Sequence, residues 1–171
     1  MRILFLDIDS VICTSSCYGR GRENKWDAYM FDPKAVAVLN FILQETGAEI
    51  ILSSDWRHTY TLQEMREIFC HNNVIKGPIG FTERSNTYTG DNLAGRADEI
   101  KHWLKVHAWK DDINWCCVDD VNMEEALFPN FVRCPNENEG IKRCGVKEKI
   151  INILNKKTKD LESPYPCKDK K

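Results

Sequence analysis

The sequence predicts an α/β fold, a parallel sheet covered by helices on both faces. Two observations carry the prediction. Short apolar runs of strand length, at residues 3–6, 49–52 and 113–118, alternate with segments whose apolar residues recur at helical spacing. A polar residue fit for chemistry, Asp7, Ser53 or Asp119, follows each of those runs directly. In such sheets sites form at the carboxyl ends of strands, near the point where strand order reverses. The three residues are therefore expected on one edge.

Taken in order, Ile3-Leu4-Phe5-Leu6 reads as a buried strand that leads into Asp7-Ile8-Asp9. Two clustered carboxylates repel, and one would be protonated unless a cation lay between them. Oxygen ligands suit a hard divalent ion, with Mg²⁺ the first expectation; the pair alone reads more readily as turn punctuation, and the matching residues after the later strands are what shift the balance. Residues 13–31 make a long connection, and their aromatics argue against simple disorder. Asp32-Pro33 opens a helix with Val36, Leu39, Ile42 and Leu43 as its apolar stripe, and Gly47 closes it. After the second strand, Thr61 and Glu64 make a capping-box pattern ahead of Leu62, Met65, Ile68 and Phe69. A short third strand is expected within 74–81 and a loop over 82–95. A helix should begin near Arg96 and bury Ile100, Trp103, Leu104 and His107. Residues 113–118 form a strand ending in Asp119-Asp120, followed by a short helix over 124–128 and a strand over 131–133. A last helix carries Val146, Ile150 and Leu154 in register. The lysine-rich stretch 156–171 reads as a disordered tail.

Bulk properties narrow the function classes. With 171 residues the chain suits one domain, expected over residues 1–155. A hydrophobic fraction of 42% and a charged fraction of 29% are ordinary for a globular protein. The net charge of -2 gives no global basic field for capturing nucleic acid, though a local basic patch is compatible with it. No stretch reaches transmembrane length and no signal peptide is visible, so no membrane partner and a cytoplasmic location are expected. The 8 cysteines then read as reduced thiols, with Cys116 and Cys117 in the core. Their spacing does not suit a zinc site.

Together, D-x-D after the first strand, Ser after the second, a basic residue on a helix and D-D after a later strand resemble the haloacid dehalogenase-like (HAD) superfamily of phosphohydrolases. Leu-Asp-Ile-Asp-Ser-Val-Ile, Leu-Ser-Ser-Asp-Trp-Arg, Arg96-x-x-Glu99-Ile100-x-x-Trp103-Leu104 and Val118-Asp119-Asp120 resemble, more narrowly, the phosphatase module of multidomain RNA-repair proteins. They are also similar, more distantly, to polynucleotide 3′-phosphatase domains, as in phage polynucleotide kinases. The resemblance implies a Rossmann-like, HAD-like fold without a cap or with only a small flap, placed at residues 13–31. The cluster Arg20, Arg22, Lys25 and Trp26 would close over the site from that flap.

The resemblance also implies roles. Asp7 would be the nucleophile that becomes an aspartyl-phosphate, and Asp9 the general acid and then base. Ser53 would hydrogen-bond a phosphoryl oxygen, with Ser54 as its rival. Arg96 would steady the nucleophile and the phosphate charge, with Lys101 as its rival. Asp7, Asp9, Asp119 and Asp120 would hold Mg²⁺. Arg57 reads either as a substrate contact or as a surface partner of Asp55. Many family members carry Gly-Thr after the second Asp, where this chain has Ser10-Val11, which puts the local turn in question. The expected activity is a Mg²⁺-dependent phosphomonoesterase acting on a phosphorylated substrate, a nucleotide or nucleic-acid end. A small-metabolite phosphatase and a HAD-fold binding module without turnover are the alternatives. The oligomeric state is not encoded in any motif of the chain.

Overall fold

The computed structural model describes residues 1–17, 31–83, 92–107 and 113–156. Five strands run in chain order as β1 (Arg2–Leu6), β2 (Glu49–Leu52), β3 (Gly80–Phe81), β4 (Asn114–Asp119) and β5 (Phe131–Arg133). They form one sheet in the order β3-β2-β1-β4-β5, with all neighbours parallel. The helices are α1 (Pro33–Thr46), α2 (Leu62–His71), α3 (Asn92–His107), α4 (Glu124–Leu127) and α5 (Val146–Asn155). The arrangement is the Rossmann-like α/β fold that the alternation of apolar runs predicts. No helix among the described residues is long and apolar enough to cross a membrane.

Side chains alternate across a strand, so β1 feeds two cores. Leu4 and Leu6 face one layer with Ile50, Leu52, Cys116 and Val118, against Leu39 and Leu43 of α1 and Ile150 and Leu154 of α5. Ile3 and Phe5 face the other, with Ile51 and Cys117, against Ala97, Ile100 and Trp103 of α3 and Leu127 of α4. Trp103 meets Phe5 edge to face with ring centroids 5.3 Å apart, so it packs as core.

Local signals set the helix ends. Asp32 caps α1 by accepting from the amides of Lys34 and Ala35, and Gly47 closes the helix at φ 65. Thr61 and Glu64 form the full capping box on α2. Two expectations need correcting, the start of α3 and the place of His107. Helix α3 begins at Asn92, so residues 92–95 are not loop and Arg96 lies in the second turn. The third strand falls within the expected stretch, at Gly80–Phe81, after the interruption at Gly77-Pro78. His107 is exposed; its ring stacks on Trp103 at 4.2 Å instead of entering the core. The expected flap lies mostly outside the described residues, as do Arg20, Arg22, Lys25, Trp26 and all but the first residue of the expected tail.

Candidate active site

The order β2-β1-β4 puts three strand ends side by side, with β1 in the middle. Each strand's hydrogen bonding continues past its end and fixes the residue there. The Asp7 amide donates to Val118 O at 3.1 Å, and the Ser53 amide donates to Leu6 O at 3.1 Å. Asp119 is the last residue of β4, and its carbonyl accepts from the Cys134 amide at 2.8 Å. Backbone pairing thus carries Asp7, Ser53 and Asp119 to one edge.

The chain then turns tightly after β1. The Ile8 carbonyl accepts from the amides of Val11, Ile12 and Cys13, and Ser10 takes φ 58. That is the left-handed region which glycine enters freely, so Ser10 keeps the turn at some conformational cost. The turn leaves Asp9 half-buried, and its Oδ2 accepts from Trp56 Nε1 at 2.8 Å.

Arg96 reaches this edge from α3. Its Nη1 lies 2.9 Å from Asp119 Oδ2 and 3.4 Å from Asp7 Oδ2, while Nη2 lies 3.3 Å from Asp55 Oδ1. Asp7 and Asp119 are both buried. Desolvation, then the charge of Asp119, pushes the Asp7 carboxyl up, and Arg96 and the neighbouring Ser54 hydroxyl pull it back only in part. Burial likewise raises Asp119 against the pull of Arg96. Carboxylate oxygens of Asp7, Asp119 and Asp120 come within 4.8 Å of one another. The hydroxyls of Ser53 and Ser54 are buried and make no well-formed hydrogen bond among the described residues. Beneath them, Arg57 pairs with Glu99 of α3 at 2.6 Å and donates to the carbonyls of Ser53 and Ser54.

Residues 3–143 match the family described as the HAD domain in Swiss Army Knife RNA repair proteins. The chain belongs to that family. No curated protein and no solved structure gives a significant match. Membership points to hydrolysis of the phosphatase type.

In this HAD domain Asp7, Asp119 and Asp120 come together with Arg96, and Ser53 stands at the same sheet edge. Three expected roles fit the geometry poorly. The carboxylate of Asp9 lies outside the three-carboxylate group and accepts from Trp56 instead. Lys101 is half-exposed on another face of α3, 3.8 Å from Asp98. Arg57 turns inward to Glu99, and Asp55 pairs with Arg96 instead. Glu99 and Trp56 have roles that sequence reasoning missed. A carboxylate at i+3 from Arg96, on the stripe of Ile100 and Trp103, was the available signal for Glu99. Nothing in the sequence marks Trp56 as the partner of Asp9.

The donor set suits a metal of the kind HAD domains use. Asp7, Asp119 and Asp120 offer only carboxylate oxygens, the ligands a hard divalent ion prefers. Burial is the main cause that raises the Asp7 and Asp119 carboxyls, and a cation bound between them would favour their charged forms.

Proposed function

We propose that this HAD domain is a Mg²⁺-dependent phosphomonoesterase that works through an aspartyl-phosphate on a nucleotide or nucleic-acid end. The observation that carries the reading is the Ser53 hydroxyl, fully buried and without a hydrogen-bond partner among the described residues, one residue past the end of the strand that neighbours β1. A buried unpaired hydroxyl costs about 1–3 kcal/mol, and a phosphoryl oxygen held over Asp7 relieves it. The family's occurrence in RNA repair proteins supports a nucleic-acid end as substrate.

The chain's own residues divide the work. Asp7 attacks phosphorus and the bond to the leaving oxygen breaks, giving the aspartyl-phosphate. Asp9 protonates that oxygen. It then takes a proton from the water that attacks the same phosphorus, which frees Asp7 and inorganic phosphate. Burial raises the Asp9 carboxyl and favours the proton-carrying form, while the Trp56 N–H pulls the other way and fixes its direction. Ser53 donates to a phosphoryl oxygen. Arg96, whose guanidinium keeps its charge between Asp7 and Asp119 despite burial, steadies the nucleophile and the anionic transition state. Asp7, Asp119 and Asp120 would hold Mg²⁺, which supplies positive charge against the phosphoryl oxygens when bound. The buried Arg57–Glu99 pair ties the Ser53 segment to the helix that presents Arg96.

Phosphate release from an aryl phosphate tests the reading, with Mg²⁺ and with chelator, for wild type and Asp7→Asn. Metal-dependent release that falls by about 10³-fold or more in Asp7→Asn is expected for loss of a nucleophile. Activity that survives the substitution would refute the mechanism.

A further inference from the structure

Beside the active site lies a cavity of about 330 Å³, near the lower end of small-ligand sites at roughly 300–1,000 Å³. Its walls come from β5, from α4 and from the start of α5, and include Glu124, Phe131, Arg133, Arg143, Val146 and Lys149. Three of these are cations and one is an anion, within a chain whose net charge is -2. Only one of the cations has a carboxylate partner among the described residues, and that pair is long and exposed. Arg143 stands 3.9 Å from Glu139 with both side chains about half exposed. Arg133 and Lys149 have no carboxylate partner among the described residues.

The cavity shares Arg133 with the edge that carries the reacting carboxylates. Strand β5 pairs with β4 so that Arg133 stands opposite Asp119. Arg133 Nε donates to the Asp120 carbonyl at 3.1 Å. One side chain thus lines the cavity and touches the backbone of a carboxylate in the three-acid group. The far end of α5 lies at the opposite edge, where the Leu154 carbonyl accepts from Arg2, so the start of α5 must lie on the catalytic side.

We propose that this cavity is a subsite for a second phosphate of the substrate, one that is bound and not hydrolysed. Resting on the phosphatase reading of the adjacent site, it narrows the substrate to molecules with two phosphates. Guanidinium forks match phosphate oxygens in pairs, and an ammonium beside them adds charge without demanding a direction. Two molecular sources supply that chemistry: a phosphodiester next to the phosphorylated end of a chain, or a bisphosphate metabolite.

The test compares wild type with Arg143→Gln/Lys149→Gln, two exposed positions away from the reacting carboxylates. Substrates are a nucleoside 3′,5′-bisphosphate, a short end-phosphorylated oligonucleotide and the matching nucleoside monophosphate. The ratio of kcat/KM for each two-phosphate substrate over the monophosphate should fall by about ten-fold or more in the variant, through KM. Arg143→Lys/Lys149→Arg, which keeps both charges, should restore most of it. A fall with the oligonucleotide alone assigns the cavity to a chain, and a fall with both assigns it to the phosphate itself. An unchanged ratio for both overturns the proposal. Binding is read in parallel by calorimetry in an Asp7→Asn background. There the oligonucleotide's salt slope should drop by about 0.7, the value for one phosphate contact on a single strand. If wild type hydrolyses none of the substrates, the phosphatase reading fails by itself. Weaker binding in the variant would then still support the subsite, and equal binding would overturn it.

Discussion

Asp7 and Ser10 both trade stability for geometry. An acid whose folded pKa is raised binds its proton more tightly in the native state than in the unfolded chain. Its contribution is therefore intact below the unfolded value and is lost as pH rises through the folded one. At neutral pH the metal-free protein bears that cost in full. Asp7→Asn, assayed in chelator, should raise Tm at pH 8, by about 2–4 °C for each kcal/mol regained, and raise it less at pH 5. A lower Tm at both pH values would show that the Arg96 contact outweighs desolvation. Ser10 is the residue-scale case where family comparison warned of a change and the backbone absorbed it: φ stays at 58 with serine in place. Asp9 shows the limit of motif reading. Its spacing from Asp7 suggests shared ligation, yet one indole N–H, 47 residues away in sequence, decides where the carboxylate goes.

At the scale of elements, the N-terminus of α1 joins three parts of the chain. Asp32 accepts from the Lys34 amide at 2.8 Å and from Thr14 Oγ1 at 2.8 Å, and it pairs with Lys142. Lys142 follows Gly140, at φ 52, where a Cβ would lie 2.3 Å from the Val11 carbonyl. Burial would raise the Asp32 carboxyl, but the bonds from Lys142, Thr14 and the Lys34 amide hold it well below the usual range. A depressed acid stabilises above its unfolded pKa, and that stability is lost as pH falls toward the folded value. Asp32→Asn keeps a competent cap and loses the ion pair, so it should cost about 1–2 kcal/mol at pH 7. The difference from wild type should begin to narrow below about pH 4 in urea titrations and go on narrowing as the pH falls further. A gap that stays constant from about pH 5 down to about pH 2.5 would trace the loss to packing instead. Capping residues are legible because they act within three residues of themselves, which is why both ends of α1 and the start of α2 were foreseen. The start of α3 was not, since Asn92 and Gly95 are turn-like, and the helix is held by long-range contacts: Ala97, Ile100 and Trp103 in the core with Phe5, and the ion pairs of Arg96 and Glu99.

At the scale of the whole molecule, the sheet was legible because parallel strands buried on both faces show as unbroken apolar runs. Those runs also placed Asp7, Ser53 and Asp119 on one edge. Long-range partners such as Arg57–Glu99 depend on which helix crosses which strand end, and spacing alone does not carry that. Helix α5 lies beyond the matched residues 3–143, yet it buries Val146, Ile150 and Leu154. At about 1.5–3 kcal/mol for each large side chain, these three contribute on the order of a small domain's whole stability. A chain ending at residue 143 should therefore show no cooperative thermal transition by circular dichroism, and a sharp one would make α5 dispensable. Arg2, at the start of β1, donates through Nε to the Leu154 carbonyl and through Nη1 to the Thr46 carbonyl, each at 3.0 Å. The first of these partners is made 152 residues later. During synthesis the central strand therefore leaves the ribosome long before the backbone that completes its amino edge exists, and the nascent half-sheet has to stay out of wrong pairings until the last helix is released.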